Sequence, residues 1–186
     1  ALLSLIRSEI PHRPASSFLP TLNSLINNET NLGQHSSLSS DDSVSHGIHR
    51  EEDIRWKEDI SRFCAHSVIH LANSDDEEIV RLALGTLGNL VEVTETHEIL
   101  GRAGCGKALV ALIKHNRLDI FREAGRAISN LLTSFNHQAE VISEGIPGIV
   151  TLAYSGDTEC EYSAALSFRK LSPNRKSHNK IISANG

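Results

Sequence analysis

Three stretches of this chain can be laid over one another without a gap. They cover residues 68–90, 109–131 and 149–171, so the pattern returns after 41 and then 40 residues. A period of this length is typical of stacked helical repeats, whose units bury a continuous core between them. Because such solenoids usually present an extended surface to a partner, the repeat favours a binding protein over an enzyme.

Apolar residues return at the same places in all three stretches, at the spacing of an α-helix. Polar residues interrupt the pattern at 74–76, 115–117 and 155–157, where they predict a turn and a cap for the next helix. The column Ala83, Ala124 and Ala164 contains small residues only, which predicts a close approach of two helices. The columns, in chain order, are Val68, Leu109 and Ile149; Leu71, Leu112 and Leu152; Ile79, Ile120 and Cys160; Ala83, Ala124 and Ala164; Leu87, Ile128 and Phe168; and Leu90, Leu131 and Leu171.

A shorter helical element is predicted next to these stretches, at residues 97–104, 138–145 and 178–185. Each copy ends on Gly or on Asn-Gly, residues that adopt the left-handed conformation at the end of a helix. Pro147 stands where the following helix begins, and the first turn is the helical position that tolerates Pro best. The unit is therefore predicted to contain three helices.

With these elements the chain resembles the armadillo repeat family, whose unit is a short helix, a Gly-containing corner, a second helix and a longer third helix. The family motif NxLxxxG-I-P-x-[LI]-V, then A-x-x-x-[LI]-x-N-L, is clearest at residues 140–150 and 124–131. The resemblance covers about residues 68–186 and implies an all-α, right-handed superhelical α-solenoid of three-helix repeats. HEAT repeats have the same length and are the alternative, but the three-helix unit and the Asn-Leu endings favour armadillo.

The sequence predicts three segments along the chain. Residues 1–26 are interpreted as a degenerate or partial helical repeat, because Leu22 and Leu25 follow a Pro at the same spacing as Ile149 and Leu152. Residues 27–50 are rich in Ser, Asn and His and are predicted to form a flexible loop or linker. Residues 51–186 are predicted to hold about three armadillo repeats in register, with the last one truncated.

A long amphipathic helix is predicted over residues 51–72, leading into the first clear repeat. Its acidic first turn suits the positive end of the helix dipole. The apolar positions at helical spacing are Ile60, Phe63, Cys64, Val68 and Leu71.

Composition excludes several functions. The formal net charge is −5 with acidic and basic residues interleaved, so we expect no nucleic-acid partner. No apolar run is long enough to span a bilayer, so we expect no direct membrane insertion. The cysteines are three and scattered, unlike a disulfide framework, which indicates a reducing compartment. We therefore expect a cytoplasmic protein, with the nucleus as the second option.

No constellation of residues predicts catalysis or a cofactor. His66 and His70 stand one helical turn apart, and His46 and His49 lie three residues apart, but no third ligand joins either pair in a zinc pattern. Residues 101–106 (GRAGCG) lack the Lys-Ser/Thr ending of a phosphate-binding loop. We expect no enzyme, no metal site, no cofactor and no small-molecule ligand.

The resemblance implies a ligand site where the third helices line a concave surface. In armadillo proteins an Asn near the end of each third helix binds the backbone of an extended peptide, and a Trp one turn earlier is frequent in nuclear import receptors. No Trp stands at these positions here, whereas basic residues favour an acidic or phosphorylated segment. The predicted groove consists of Gly85, Asn89, Arg126, Asn130, Leu166, Arg169 and Lys170.

Two functions therefore remain open at the level of sequence. The first is a scaffold or adaptor that binds an extended, possibly acidic, peptide segment of another protein along the groove. The second is a structural or regulatory solenoid segment of a larger multidomain protein, with no independent ligand.

Overall fold

The structure is a computed structural model that describes residues 20, 22–24, 43–134 and 138–184, with the side chains of 43–54, 56 and 57 excepted. Every regular element within these ranges is helical. A 3₁₀ turn at Thr94–Thr96 precedes α3, and a π-helical turn at Val141–Gly145 joins α6 to α7. The α-helices are α1 (Ser43–Leu71), α2 (Glu77–Leu90), α3 (His97–Arg102), α4 (Cys105–Leu112), α5 (Leu118–Leu131), α6 (Gln138–Glu140), α7 (Ile146–Ala153), α8 (Thr158–Leu171) and α9 (Arg175–Ala184).

The helices repeat with the period of the sequence. Helices α2, α5 and α8 each contain 14 residues and begin 41 and then 40 residues apart. We call α2 with the C-terminal part of α1 unit 1, α3 to α5 unit 2, and α6 to α8 unit 3. Helix α9 has the place of the first helix of a further unit. The prediction of an all-α solenoid built from three-helix repeats is therefore confirmed.

The apolar columns of the sequence form the core between the units. Ala83, Ala124 and Ala164 have no exposed surface, and the Leu that ends each third helix is equally buried. Helix α5 packs against α2 on one side and α8 on the other. Since each fully buried aliphatic side chain contributes about 1.5–3 kcal/mol, the stability of the solenoid comes from this repeated stripe.

Small residues let units 2 and 3 approach closely. A Cβ added at Gly148, at the start of α7, would lie 2.5 Å from Cγ2 of Ile113, which follows α4. A Cβ at Gly125 in α5 would lie 2.7 Å from Cδ1 of Leu152. Because real Cβ contacts are not this short, a side chain at either position would force its neighbour, Ile113 or Leu152, to shift.

Polar residues cap two of the third helices, as the sequence predicts. The carboxylate of Asp76 accepts hydrogen bonds from the backbone N–H of Glu78 and Ile79 at the start of α2. Asp157 accepts one from Cys160 N–H at the start of α8. Arg117 stands at the same place before α5 and forms no cap, because a guanidinium has no acceptor atom.

The corner before α7 differs from the prediction. Gly104 before α4 has φ 91°, the left-handed conformation expected at a helix end. Gly145 instead has φ −87° and stays in the right-handed region. The π-helical turn Val141–Gly145 carries the chain from α6 into α7 without a left-handed residue. The third copy, at residues 185 and 186, lies outside the described ranges.

Helix α1 is longer than predicted. It begins at Ser43, so the final residues of the predicted loop 27–50 are helical. Residues 43–50 contain no Pro, and a helix that is already nucleated extends into such a segment readily. Ile60, Cys64 and Val68 are buried as expected, but Phe63 remains 52% exposed because it lies beside their stripe rather than on it. The rest of the loop lies outside the described residues.

Of the predicted N-terminal repeat, the structure describes residues 20 and 22–24. Leu22 is buried in the common core. Asn23 lies against α2, where its amide meets Gly85 and Asn89. Arg126, the unit 2 equivalent of Gly85, and Lys170, the unit 3 equivalent of Asn89, each contact the unit before them. The interpretation of residues 1–26 as a degenerate or partial repeat stays a prediction.

Candidate functional site

The outward side chains of α2, α5 and α8 line a shallow pocket of about 410 Å³. We call this surface the groove face. Cations and carboxylates alternate along it, and Asn23 closes its N-terminal end. The residues that line the pocket are Asn23, Arg81, Leu82, Gly85, Asn89, Asp119, Arg122, Glu123, Arg126 and Glu159.

Ion pairs join neighbouring units across the groove face. Arg122 of α5 donates to Asp157, at 2.6 Å, and also pairs with Glu159 of α8, at 3.2 Å. The Arg122 guanidinium, together with the capping bond from Cys160 N–H, lowers the pKa of Asp157 to about 2. In the opposite direction, Arg117 pairs with Glu77 and Glu78 of α2. Helix α5 is thus tied by charge to both neighbouring units.

The positive charge of Arg126, a predicted groove residue, is already paired with carboxylates of the chain. Its guanidinium donates to Glu92 at 2.5 Å and to Glu123 at 2.8 Å. Partial burial opposes the charge on Arg126, but the hydrogen bond and negative charge of Glu123, with Glu92, outweigh burial and raise its pKa. The same guanidinium lies over Gly88 of α2, in the space that a Cβ would need. Arg126 is therefore part of the unit 1–unit 2 contact.

Asn89, Asn130 and Lys170 form one column near the ends of the three third helices, where the resemblance implies contact with a peptide backbone, and their side chains have different partners. The Asn89 amide donates to Asn23 Oδ1 at 2.7 Å. Lys170 Nζ donates to the backbone carbonyl of Ser129 at 2.5 Å, and desolvation, followed by the charge of Arg169, lowers its pKa. The half-buried amide of Asn130 has no partner among the described residues. Asn130 is thus the open member of the column.

The remaining predicted residues mark the ends of the groove face. Gly85 lies beneath Asn23, whose Nδ2 would be 3.3 Å from an added Cβ. Leu166 of α8 is half-buried in the column that holds Arg126 in unit 2. Arg169 is exposed and forms no ion pair within the described ranges. The seven predicted positions therefore do not form one continuous basic patch.

Sequence reasoning missed the carboxylates that neutralise the arginines. Glu92 and Glu123 pair with Arg126, and Asp157 pairs with Arg122. The i to i+3 spacing of Glu123 and Arg126 is a readable signal, since such residues are neighbours on a helix. The column that contains Arg81 and Arg122 ends in Tyr162, which is 66% exposed. In unit 3 the groove face thus presents Tyr162 and the half-buried Leu166 beside the charged Glu159 and Arg169.

The described part of the chain offers little for other chemistry. It contains no group of three or more His, Cys, Asp or Glu side chains placed to hold a metal ion. His66 and His70 are exposed on α1. Burial raises the pKa of the Cys64 and Cys105 thiols to about 12, which removes the reactive thiolate at neutral pH. Among the described helices, none is long and apolar enough to cross a membrane.

No family model matches the chain, and no curated protein matches it. Solved structures do match. A designed armadillo repeat protein in complex with the peptide (KR)4 has a TM-score of 0.61 and 18% identity, over 90% of this chain and 70% of that chain. A computationally designed armadillo repeat protein for modular peptide recognition has a TM-score of 0.62 and 17% identity, over 90% and 70% of the two chains. The chain has an armadillo-like repeat fold.

This fold bears on the choice between armadillo and HEAT repeats, which the sequence analysis gave as alternatives. An engineered protein also matches, with a TM-score of 0.65 and 18% identity, over 99% of this chain and 50% of that chain. The three-helix unit and these matches favour armadillo over HEAT repeats.

Proposed function

We propose that this protein is an interaction scaffold that binds an extended segment of another protein along the groove face. The observation that carries the proposal is the half-buried amide of Asn130 on the central third helix, for which the described residues offer no hydrogen-bond partner. A side-chain amide offers one acceptor and two donors, which matches the N–H and C=O of an extended backbone. Two designed proteins with this fold are described as peptide binders, which supports the same use of the surface.

The ligand is expected to lie over units 2 and 3. At the N-terminal end, Asn23 already contacts Gly85 and Asn89, so a peptide would have to displace it there. From Asn130 onward the groove face offers Leu166 and the exposed ring of Tyr162. A segment with an apolar or aromatic residue at this point would bury these side chains, which favours binding.

Any preference for acidic segments should come from Arg169. Arg126 is paired with two carboxylates, and Lys170 is held by the Ser129 carbonyl. A ligand carboxylate beside Arg126 would also lie close to the carboxylates of Glu92 and Glu123, which would repel it. The proposed ligand is therefore extended and largely apolar, with one acidic residue near its Arg169 end.

The test begins with peptides that are selected for binding to the parent chain from a random display library. Their dissociation constants are then measured by fluorescence anisotropy with the parent and with Asn130→Ala. Loss of two hydrogen bonds should weaken binding by about tenfold. Lys107→Ala, an exposed change on α4 away from the groove face, should leave binding unchanged.

Two further results bear on the proposal. The Asn130→Ala protein should melt within about 2 °C of the parent, because the amide makes no hydrogen bond with the described residues that the change would remove. Arg169→Ala should weaken acidic peptides more than their amide-substituted versions. If no peptide is enriched, or if Asn130→Ala binds as tightly as the parent, the groove face is not a peptide site.

The second function, a structural solenoid segment, is favoured by a separate observation. The ion pairs of Arg122 and Arg126 link three units through the groove face, so much of the charge on this surface is already paired within the chain. This reading predicts that no peptide binds and that the pairs serve stability alone. For either function we propose the cytoplasm or nucleus as the compartment, because Cys64, Cys105 and Cys160 are free and buried.

A further inference from the structure

A second cleft lies between units 2 and 3, on elements other than the third helices. Helix α4 and the turn after it form one wall, and the end of α6 with the π-helical turn forms the other. The cleft has a volume of about 410 Å³, and none of its residues lines the pocket of the groove face. We call it the junction cleft. Its lining includes Lys107, Val110, Ala111, Lys114, Glu140 and Glu144.

The charged side chains of the junction cleft are sorted by wall. Lys107 and Lys114 stand on the α4 wall, whereas Glu140 and Glu144 stand on the opposite wall. The two lysines and Glu144 are exposed, and Glu140 is half-buried. None of the four forms an ion pair or a side-chain hydrogen bond with a described residue. Within the described chain, the charges of this cleft are thus unpaired, unlike the arginines of the groove face.

A glycine of α4 makes room for one of these carboxylates. The Glu140 carboxylate fills the space that a Cβ on Gly106 would need. The equivalents of Gly106 in units 1 and 3 are Ala65 and Ile146, so the glycine is particular to unit 2. Gly106 lies in the first turn of α4, where the free N–H groups favour a negative charge. The position of Glu140 is therefore set by the contact between the two units.

The preceding junction lacks this arrangement. Between units 1 and 2, the positions of the two lysines hold His66 and Asn73, and those of the two glutamates hold Ile99 and Ala103. The π-helical turn that carries Glu144 also differs from the corner before α4, where the left-handed Gly104 redirects the chain. Turns of the π type are frequent at functional sites. The junction cleft is therefore a feature of one junction and not of the repeat.

The walls of the cleft favour a helical ligand over an extended one. The main chain of α4 is bonded within its helix. Ser143, the one uncharged polar side chain among the described residues of the lining, donates to the Glu140 carbonyl. An extended segment would therefore bury N–H and C=O groups without partners, whereas a helix satisfies its own. Val110 and Ala111 form an aliphatic floor that an apolar side chain can cover.

We propose that the junction cleft binds an amphipathic helix of another protein. An apolar ridge of this helix covers Val110 and Ala111, an acidic flank faces the two lysines, and a basic flank faces the two glutamates. Lys107 and Lys114 are seven residues apart. Acidic residues at positions i and i+7 of the ligand match them, because such residues lie on one face of a helix. A helix with charges of one sign would be repelled by one wall, which gives the cleft its specificity.

The test uses a display library of helix-forming peptides of about 20 residues, a length at which isolated helices can form. Selection against the full chain should enrich peptides with an aliphatic ridge, one acidic flank and one basic flank. Their dissociation constants are measured by fluorescence anisotropy. The double variant Lys107→Glu, Lys114→Glu should bind them at least about tenfold more weakly than the parent, because both walls are then acidic.

A charge exchange separates direct contact from damage to the fold. When the acidic flank of an enriched peptide is replaced by lysines, the double variant should bind it about tenfold more tightly than the parent does. The matched control is Arg55→Glu, Arg62→Glu, which makes the same charge change at two exposed positions of α1 outside the cleft and should leave both affinities unchanged. Asn130→Ala should bind these peptides as the parent does, so the result is independent of the groove face.

Three outcomes would overturn the proposal. In the first, selection enriches no peptide with flanks of opposite charge. In the second, the double variant binds the enriched peptides as tightly as the parent, or Asn130→Ala loses them, which assigns them to another surface. In the third, circular dichroism shows that the bound peptide is not helical.

Discussion

A buried polar side chain at the start of unit 2, and another at the start of unit 3, forms a hydrogen bond with the end of the preceding unit. The His97 ring donates from Nε2 to the Val91 carbonyl at 2.8 Å, and its Nδ1 lies 2.6 Å from Ser134 Oγ. In the next unit, Gln138 donates to the Leu132 carbonyl, which is also six residues earlier. Two different residue types thus perform one structural role.

The exchange of these two residue types is a direct test. His97→Gln should retain a donor to the Val91 carbonyl, as Gln138 does in its own unit. His97→Ala leaves that buried carbonyl unpaired and should lower the free energy of unfolding by about 1–3 kcal/mol. The values are measured by urea unfolding followed by circular dichroism. An equal loss in both variants would show that the ring's shape, not its hydrogen bond, is what matters.

Cysteine burial predicts the reactivity of the chain. Burial raises the pKa of Cys64 and Cys105 to about 12, and burial followed by the hydrogen bond with Asp157 raises that of Cys160. At pH 8 the folded chain should therefore react slowly with dithionitrobenzoate, and all three thiols should react at once in urea. Rapid labelling of one thiol without urea would show that its helix opens locally.

Helix caps explain how the short turns start the third helices. Asp76→Ala removes the acceptor for Glu78 and Ile79 N–H and should lower the free energy of unfolding by about 1 kcal/mol. Asp76→Asn keeps an acceptor oxygen and should lose less. Both values come from urea unfolding. Equal losses would mean that the charge of Asp76, rather than its capping bonds, stabilises α2.

The cap of α8 also predicts a pH dependence. Asp157 has a folded pKa of about 2, below the ordinary value of about 3.9, so its charge stabilises the fold above about pH 4 and loses this effect as the pH falls towards 2. Asp157→Asn keeps the capping oxygen and removes the charge paired with Arg122. The difference in melting temperature between parent and variant should be constant from pH 7 to 5 and shrink below pH 4. A difference that does not vary with pH would exclude the ion pair as its source.

Helix α5 shows what the sequence could and could not predict about an element. Its position and buried stripe followed from the apolar columns, because burial against two neighbours requires the same spacing in every unit. The cap predicted from residues 115–117 was wrong for α5, because Arg117 has no acceptor atom and pairs instead with Glu77 and Glu78. The partner of Arg126 in unit 1, Glu92, lies 34 residues away, and such a pair depends on how the units stack. The fold was therefore predictable from one sequence, whereas the charge state of the groove face was not.

The solenoid as a whole depends on contacts between neighbouring units, so local changes should act on one junction at a time. In such nearest-neighbour architectures, stability is approximately a sum of unit and interface contributions. Arg126 spans the junction of units 1 and 2, and Arg122 spans that of units 2 and 3. Gly148 lies at the second junction as well, directly against Ile113.

Gly148→Val is the substitution that should separate unit 3 from the rest. The new side chain would overlap Ile113, whose Cγ2 lies 2.5 Å from the Cβ position, so α7 must move away from α4. Hydrogen exchange should then show lost protection in α7 to α9, with α2 to α5 protected as in the parent. Adding Ile113→Ala should restore part of the protection, because it removes the atoms that overlap. Uniform loss of protection from α2 to α9 would instead show that the units unfold as one cooperative body.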